Sequence, residues 1–275
     1  MNLVALGTAA CSIADVFAQY PQYEIYKIDV DIEGKRCYSI PAFEDVEEYE
    51  DYSFPKLKTF FKGLKGETTF VVVGSGNASC ASLKIMEYIK HLPVSILYVR
   101  PDISMLSDHQ KMIEKVVYNV LQEYARSAVF EKMCVVSNAE IDSIMGGAPI
   151  MGYYGYINDN LVPVLHMINY FSNNEAVLGE ITKPKETHRI YTVGLFNVQK
   201  NEEKMFFSLD NCRHKCYIYG VNEEKLKTDK DLMKTIKKQI DSKKGENLNI
   251  SYAIYPTDYE YDIGYVIERS PYIQK

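Results

Sequence analysis

The stretch that most restricts this chain runs from 70 to 80, where Phe70-Val71-Val72-Val73 is followed by Gly74-Ser75-Gly76-Asn77-Ala78-Ser79-Cys80. An uninterrupted run of β-branched and aromatic residues reads as a buried strand. The small residues after it make a tight junction into a helical pattern over 81–91. Similar units lie on either side. Residues 3–6 form a short apolar run, then a loop, then a helical pattern through Ile13, Val16 and Phe17. Residues 23–30 alternate like a strand, 94–99 and 133–136 are further buried strands, and Ser107 with Gln110 reads as a capping box opening a long helix. Met112, Val116, Leu121 and Tyr124 are its expected inner face. This βαβαβ succession predicts a parallel sheet with helices on both faces and ligands at the carboxyl ends of the strands.

The acidic stretch 44–51 shows no apolar helical stripe and is expected to be an exposed loop. A long helix is expected over 160–172, with Pro163 in its first turn, where a missing amide donor does little harm. After Pro184 the pattern changes to strands at 190–196, 216–221, 249–255 and 261–268, with one charged helix at 229–243. These predict a smaller α+β unit with a mixed sheet. The expected division is therefore a parallel α/β domain with the long helix over 1–180, and a C-terminal α+β domain over 181–275.

An apolar fraction of 47% lets 275 residues bury a full core. The net charge of −6 leaves no broad basic face for nucleic acid. No stretch reaches the roughly 18 uncharged apolar residues of a membrane span, and the first residues read as a strand rather than a secretory signal. Cysteines 11, 37, 80, 134, 212 and 216 include one close pair, Cys212 and Cys216, and no second pair to complete a zinc site. Reduced thiols in a cytoplasmic protein are expected. The five histidines are scattered, and there is neither a GxSxG elbow nor a GxxxxGK loop.

In four segments the chain resembles the tubulin/FtsZ superfamily. That family has a Gly-rich loop after its first strand, where this chain has Gly7-Thr8-Ala9-Ala10-Cys11-Ser12. Its GGGTG[ST]G phosphate loop corresponds to residues 74–80. Leu97-Tyr98-Val99-Arg100-Pro101 is similar to the FtsZ strand ending in Lys-Pro. FGAANDVL at the start of the FtsZ central helix corresponds to Tyr154-Gly155-Tyr156-Ile157-Asn158-Asp159-Asn160-Leu161. With the order of elements, the likeness spans nearly the whole chain.

The resemblance implies that 1–180 is a Rossmann-like nucleotide-binding domain with the central helix, binding a guanine nucleotide, GTP or GDP, with Mg²⁺, and that the chain assembles head to tail with itself; from the charge and the lack of an apolar span, no direct nucleic-acid partner and no membrane insertion are expected. Carried over residue by residue, the nucleotide contacts are Gly7, Cys11, Ser12, Asp31, Gly74, Ser75, Gly76, Asn77, Ala78, Ser79, Tyr154 and Asn158. Asp31 aligns with the Asp of NTDAQ and would reach a Mg²⁺-bound water. The catalytic NxDxxD loop falls on Leu178, Glu180 and Lys183, leaving Glu180 as the catalytic candidate.

A phosphate needs backbone donors at close range, which suits a loop of small residues before a helix. An aromatic face at 154 and the paired donor and acceptor of Asn158 suit the edge of guanine; core packing by Tyr154 and helix capping by Asn158 are the plain alternatives. Ala78 and Cys80 replace family glycines, and their Cβ atoms restrict positive φ. Two further readings stay open: a degenerate tubulin-like interaction module without hydrolysis, and a dinucleotide-dependent enzyme, although the first loop lacks GxGxxG.

Overall fold

In the computed structural model, which describes residues 1–275, the first strand β1 (Asn2–Leu6) is buried at all five positions. Such a strand must be covered on both faces, and α1 (Thr8–Phe17) covers one of them with Ala10, Cys11, Ile13, Ala14 and Phe17. Burying Ile13 and Phe17 contributes roughly 1.5–3 kcal/mol each. The chain continues through β2 (Glu24–Val30), β3 (Cys37–Ile40), α2 (Val46–Asp51), α3 (Leu57–Phe60), β4 (Thr68–Val73), α4 (Ser82–Met86), β5 (Val94–Arg100), α5 (Asp108–Arg126), β6 (Lys132–Ser137), α6 (Asn138–Met145) and α7 (Tyr153–Ser172). Strands β1 to β6 pair in parallel in the order β3-β2-β1-β4-β5-β6. The order reverses between β1 and β4, and the crevice beyond their carboxyl ends is where sheets of this kind hold ligands.

The chain separates into two compact units, Met1–Val162 and Pro163–Lys275. The second contains β7 (Leu178–Gly179), β8 (Ile190–Asn197), β9 (Glu202–Met205), β10 (His214–Asn222), α8 (Glu223–Thr228), α9 (Leu232–Ser242), β11 (Asn249–Thr257) and β12 (Ile263–Ser270). Its sheet is mixed: β10 runs parallel to β11 and antiparallel to β12, which pairs antiparallel with β8. Phe196, Tyr217, Tyr219, Val221, Ile236, Ile240, Ile254 and Val266 form its core under α9. No helix of either unit is long and apolar enough to cross a membrane.

Four local expectations are corrected. Residues 46–51 are helical: Asp45 and Glu48 form a capping box, Glu47 and Glu48 sit in the first turn, and Tyr49 is buried against Phe43. One anchoring aromatic and a well-placed acid suffice where no stripe is visible. The helix after residue 81 is shorter than expected, a 3-10 turn over Asn77–Ala81 leading into α4.

The inner face of α5 is Ile113, Glu114, Val117, Tyr118, Leu121, Gln122 and Ala125, while Met112, Val116 and Tyr124 are exposed. The buried carboxylate of Glu114 accepts from Arg100 Nε at 3.1 Å and from Tyr98 Oη at 3.3 Å, so a charged residue belongs to the core-facing stripe. Finally, α7 begins at Tyr153 and not at 160, so Pro163 lies in its interior and removes the amide that would bond the Asp159 carbonyl. Asn158 is therefore within the helix and does not cap it.

Candidate functional site

Beyond the carboxyl ends of β1, β2 and β4, the first unit has a cavity of about 330 Å³. Its walls are the β1–α1 junction Gly7-Thr8-Ala9-Ala10, the β4 loop from Ser75 to Ser79, and the residues Asp29, Tyr49 and Gln110. Gly7 takes φ 84°, a left-handed value that a Cβ would strain, and so turns the chain sharply from strand into helix. Cys11 is the first residue of that helix whose amide reaches back to the Gly7 carbonyl, at 2.9 Å. The earlier amides have no side-chain cap, and no acidic residue occupies the first turn. An uncapped helix start presents N–H donors and a partial positive charge to whatever lies before it.

The opposite wall is built differently from its glycine spelling. None of residues 74–80 has positive φ, so Ala78 and Cys80 cost the loop nothing in backbone strain. Gly74 is buried, and a Cβ there would lie 1.8 Å from Tyr98 Oη; this glycine is needed for packing. Gly76 has extended backbone at φ −83°, is exposed, and has nothing within 4 Å of where a Cβ would stand. The Ser79 hydroxyl turns inward and donates to the Gly76 carbonyl at 2.6 Å, bracing the loop. The result is a stiff, small-residue wall facing the open end of α1, an arrangement of donors that suits an oxyanion.

Of the residues singled out from sequence, Gly7, Ser75, Gly76, Asn77, Ala78 and Ser79 line this cavity. Cys11 is buried and not among the lining residues, and burial, helped by Asp29, pushes its thiol up to about 12, so the thiol stays protonated at neutral pH. The Ser12 hydroxyl donates to the Thr8 carbonyl within the helix. The carboxylate in the cavity wall is Asp29, whereas Asp31 is exposed at the end of β2 with φ 50°. Asp29, Tyr49 and Gln110 escaped the sequence reading. Alternation along β2 puts Asp29 with Lys27, opposite Tyr26 and Ile28, so nothing in the pattern marks its burial, whereas the capping box fixes Gln110, whose Oε1 accepts from the Ser107 amide at 3.0 Å.

Tyr154 and Asn158 are not among the cavity's lining residues. They sit four positions apart on one face of α7. Tyr154 is 61% exposed with its ring edge-on to Tyr153, while Asn158 is only 7% exposed. In the second unit, Glu180 is exposed and its amide donates to the Tyr252 carbonyl at 3.2 Å, which holds the main chain beside β11. No group of three or more His, Cys, Asp or Glu side chains is placed to hold a metal ion.

The sequence matches no family model and no curated protein. Solved structures are similar to it over nearly its whole length. A GTPγS-form protofilament of TubZ from Bacillus thuringiensis serovar israelensis aligns with a TM-score of 0.72 at 14% identity, over 98% of this chain and 86% of that one. An empty FtsZ dimer from M. jannaschii aligns with a TM-score of 0.68 at 8% identity, over 98% and 87%. GDP-bound CetZ1 from Haloferax volcanii aligns with a TM-score of 0.66 at 14% identity, over 98% and 94%. At these identities the likeness establishes the architecture, with its parallel strands, long helix and mixed strands of the second unit: the fold of this chain is that of the tubulin/FtsZ superfamily.

Proposed function

We propose that this chain binds a guanine nucleotide with its phosphates in the first unit's cavity, assembles head to tail into filaments, and hydrolyses GTP slowly where subunits meet. The observation that carries this reading is the uncapped start of α1 facing the Gly76 loop across the cavity. Support comes from two similar structures, TubZ protofilaments in GTPγS and GDP forms. The residues present fit the phosphates: donors converge, and Gly76 leaves room for close approach. They fit Mg²⁺ more sparingly. Asp29 is the carboxylate of the cavity wall, and a magnesium ion commonly takes one or two carboxylates plus phosphate oxygens and water. In this reading Tyr154 stacks on the base, Asn158 pairs with its edge, and Asp31 approaches the metal's water. Guanine specificity then rests on the amide of Asn158, since a carbonyl and an NH₂ on one side chain match the adjacent donor and acceptor of that base.

Hydrolysis depends on the segment after α7. Glu180 is its candidate for orienting a water on the nucleotide of the next subunit, without a second acid at 183, where Lys stands. Turnover is expected to be slow, and Glu180→Ala should lower it by roughly 10²-fold or more, within the range of general-base help. Phosphate release at fixed polymer mass measures this, and a rate that survives the substitution would remove Glu180 from the mechanism.

Assembly follows from a heterologous contact, which repeats without closing. The covering surface is proposed to be residues 173–182, and the receiving surface the Gly76 loop with the neighbouring acidic helix α2. Val177 is 61% exposed, while its backbone amide donates to the Ile254 carbonyl at 2.8 Å. A change of side chain therefore keeps the backbone tie, and Val177→Asp is expected to weaken assembly at least tenfold without unfolding the monomer. Light scattering and sedimentation with GTP compare the two proteins; if the unmutated chain stays monomeric at every concentration and with every nucleotide, the filament reading fails.

A further inference from the structure

The second unit has a concavity of its own, of about 620 Å³, that the nucleotide reading does not use. Three segments converge on it. Lys185 and His188 precede β8, Arg213 precedes β10, and Asn247 and Asn249 stand at the start of β11. Main-chain bonds fix their relation: the Asn249 amide donates to the Arg213 carbonyl at 3.0 Å, and the Arg213 amide to the Arg269 carbonyl at 2.9 Å.

The charges here are not balanced. None of the chain's ion pairs involves Lys185, Arg213 or Arg269. Arg269 is only 5% exposed, a burial that arginine tolerates when a carboxylate accompanies it. Its partners are neutral instead: it donates to His214 Nδ1 at 2.7 Å and to the Thr182 carbonyl at 2.7 Å. The far nitrogen of His214 lies 3.1 Å from both the Thr182 and Ser251 hydroxyls. His188 has its Nδ1 buried without a hydrogen-bond partner. Burial, then Lys185, Arg269 and Arg213, hold His188 below the usual histidine range, and burial with Arg269 pushes His214 down to about 4. Both rings are therefore neutral at pH 7, and Lys185, Arg213 and Arg269 beside them have no ion-pair partner within the chain. In a protein of net charge −6, Lys185 and Arg213 in one concavity with the amide donors of Asn247 and Asn249 suit an anion.

We propose that this concavity is a binding site for the phosphate group of a small molecule, held by Lys185 and Arg213 with the side-chain amides of Asn247 and Asn249. A tetrahedral oxyanion is favoured over a carboxylate because the donors come from three directions, more than two coplanar oxygens can use. The site is independent of the first unit's cavity.

Histidine-ring NMR of the whole chain, titrated with inorganic phosphate at constant ionic strength, tests it. Saturable shifts are expected at His188 and His214, with His91, His109 and His166 unmoved, and the titration midpoint of His188 should rise when phosphate binds. Lys185→Ala/Arg213→Ala should weaken the response at least tenfold, and the exposed single change Lys185→Glu should weaken it too. Gly76→Glu, in the other cavity, should leave it unchanged. Absent or non-saturating shifts, equal shifts with chloride or acetate, or a response that persists in the double variant would each overturn the proposal.

Discussion

Gly76→Glu is expected to weaken GTP binding at least about 100-fold, equivalent to about 2.7 kcal/mol, while the melting temperature stays within about 2 °C of the parent. The fold has no stake in this glycine: its backbone is extended at φ −83°, and a Cβ would meet nothing within 4 Å. That open space is the cavity itself. A glutamate there fills the approach to the loop and sets a negative charge among donors meant for phosphate. The electrostatic and steric effects act in the same direction, which is why a large change is expected from a residue that supports no packing. Calorimetric titration with GTP beside a thermal melt separates binding from stability. Unchanged affinity would show that the phosphates do not enter this cavity.

Gly74→Ala, two residues away, should have the opposite profile, losing about 2–4 kcal/mol of stability, or roughly 5–15 °C in melting temperature. Its Cβ would lie 1.8 Å from Tyr98 Oη and 2.6 Å from Tyr98 Cζ. Tyr98 cannot yield easily, because it is fully buried, its ring packs on Tyr118 with centroids 5.0 Å apart, and its hydroxyl donates to Glu114. Burial, with Glu114 close by, raises the Tyr98 phenol well above its ordinary range, so it remains a neutral donor throughout the working pH range. Removing that hydroxyl relieves the closer of the two contacts and leaves the one to Cζ at 2.6 Å. In the Gly74→Ala/Tyr98→Phe double variant the combined loss should thus be smaller than the sum of the single losses. Additive losses measured by chemical denaturation would mean that this contact does not set the cost. Two glycines two positions apart in one motif thus have different surroundings, Gly74 packed in the core and Gly76 lining the cavity.

That difference was not legible in the sequence, where both glycines read as parts of one phosphate loop. The parallel sheet was legible, since the buried strands are short uniform apolar runs with helical patterns between them, and so was the Ser107–Gln110 cap. The inner face of α5 was not, because its buried stripe includes Glu114 and Gln122, and a charged residue satisfied by Arg100 and Tyr98 is invisible to an apolar count. The start of α7 was misplaced for a related reason: Gly152 and the run of tyrosines after it carry no capping side chain, yet the Tyr156 amide bonds the Gly152 carbonyl at 2.9 Å and the helix runs on through Pro163. Around the cavity, glycine and small-residue spelling pointed to its walls. Asp29, Tyr49 and Gln110 reach it from β2, α2 and α5, a convergence that only the folded topology supplies.

A guanine nucleotide is proposed as the ligand of the first unit. The most direct measurement is a calorimetric titration of the chain with GTP and with ATP under identical conditions, repeated on Asn158→Ala. One site that prefers GTP is expected, with a loss of about 1–3 kcal/mol for GTP in the variant, the cost of leaving a hydrogen-bonding edge of the base unpaired. Equal affinity for the two nucleotides, or no heat with either, would contradict it.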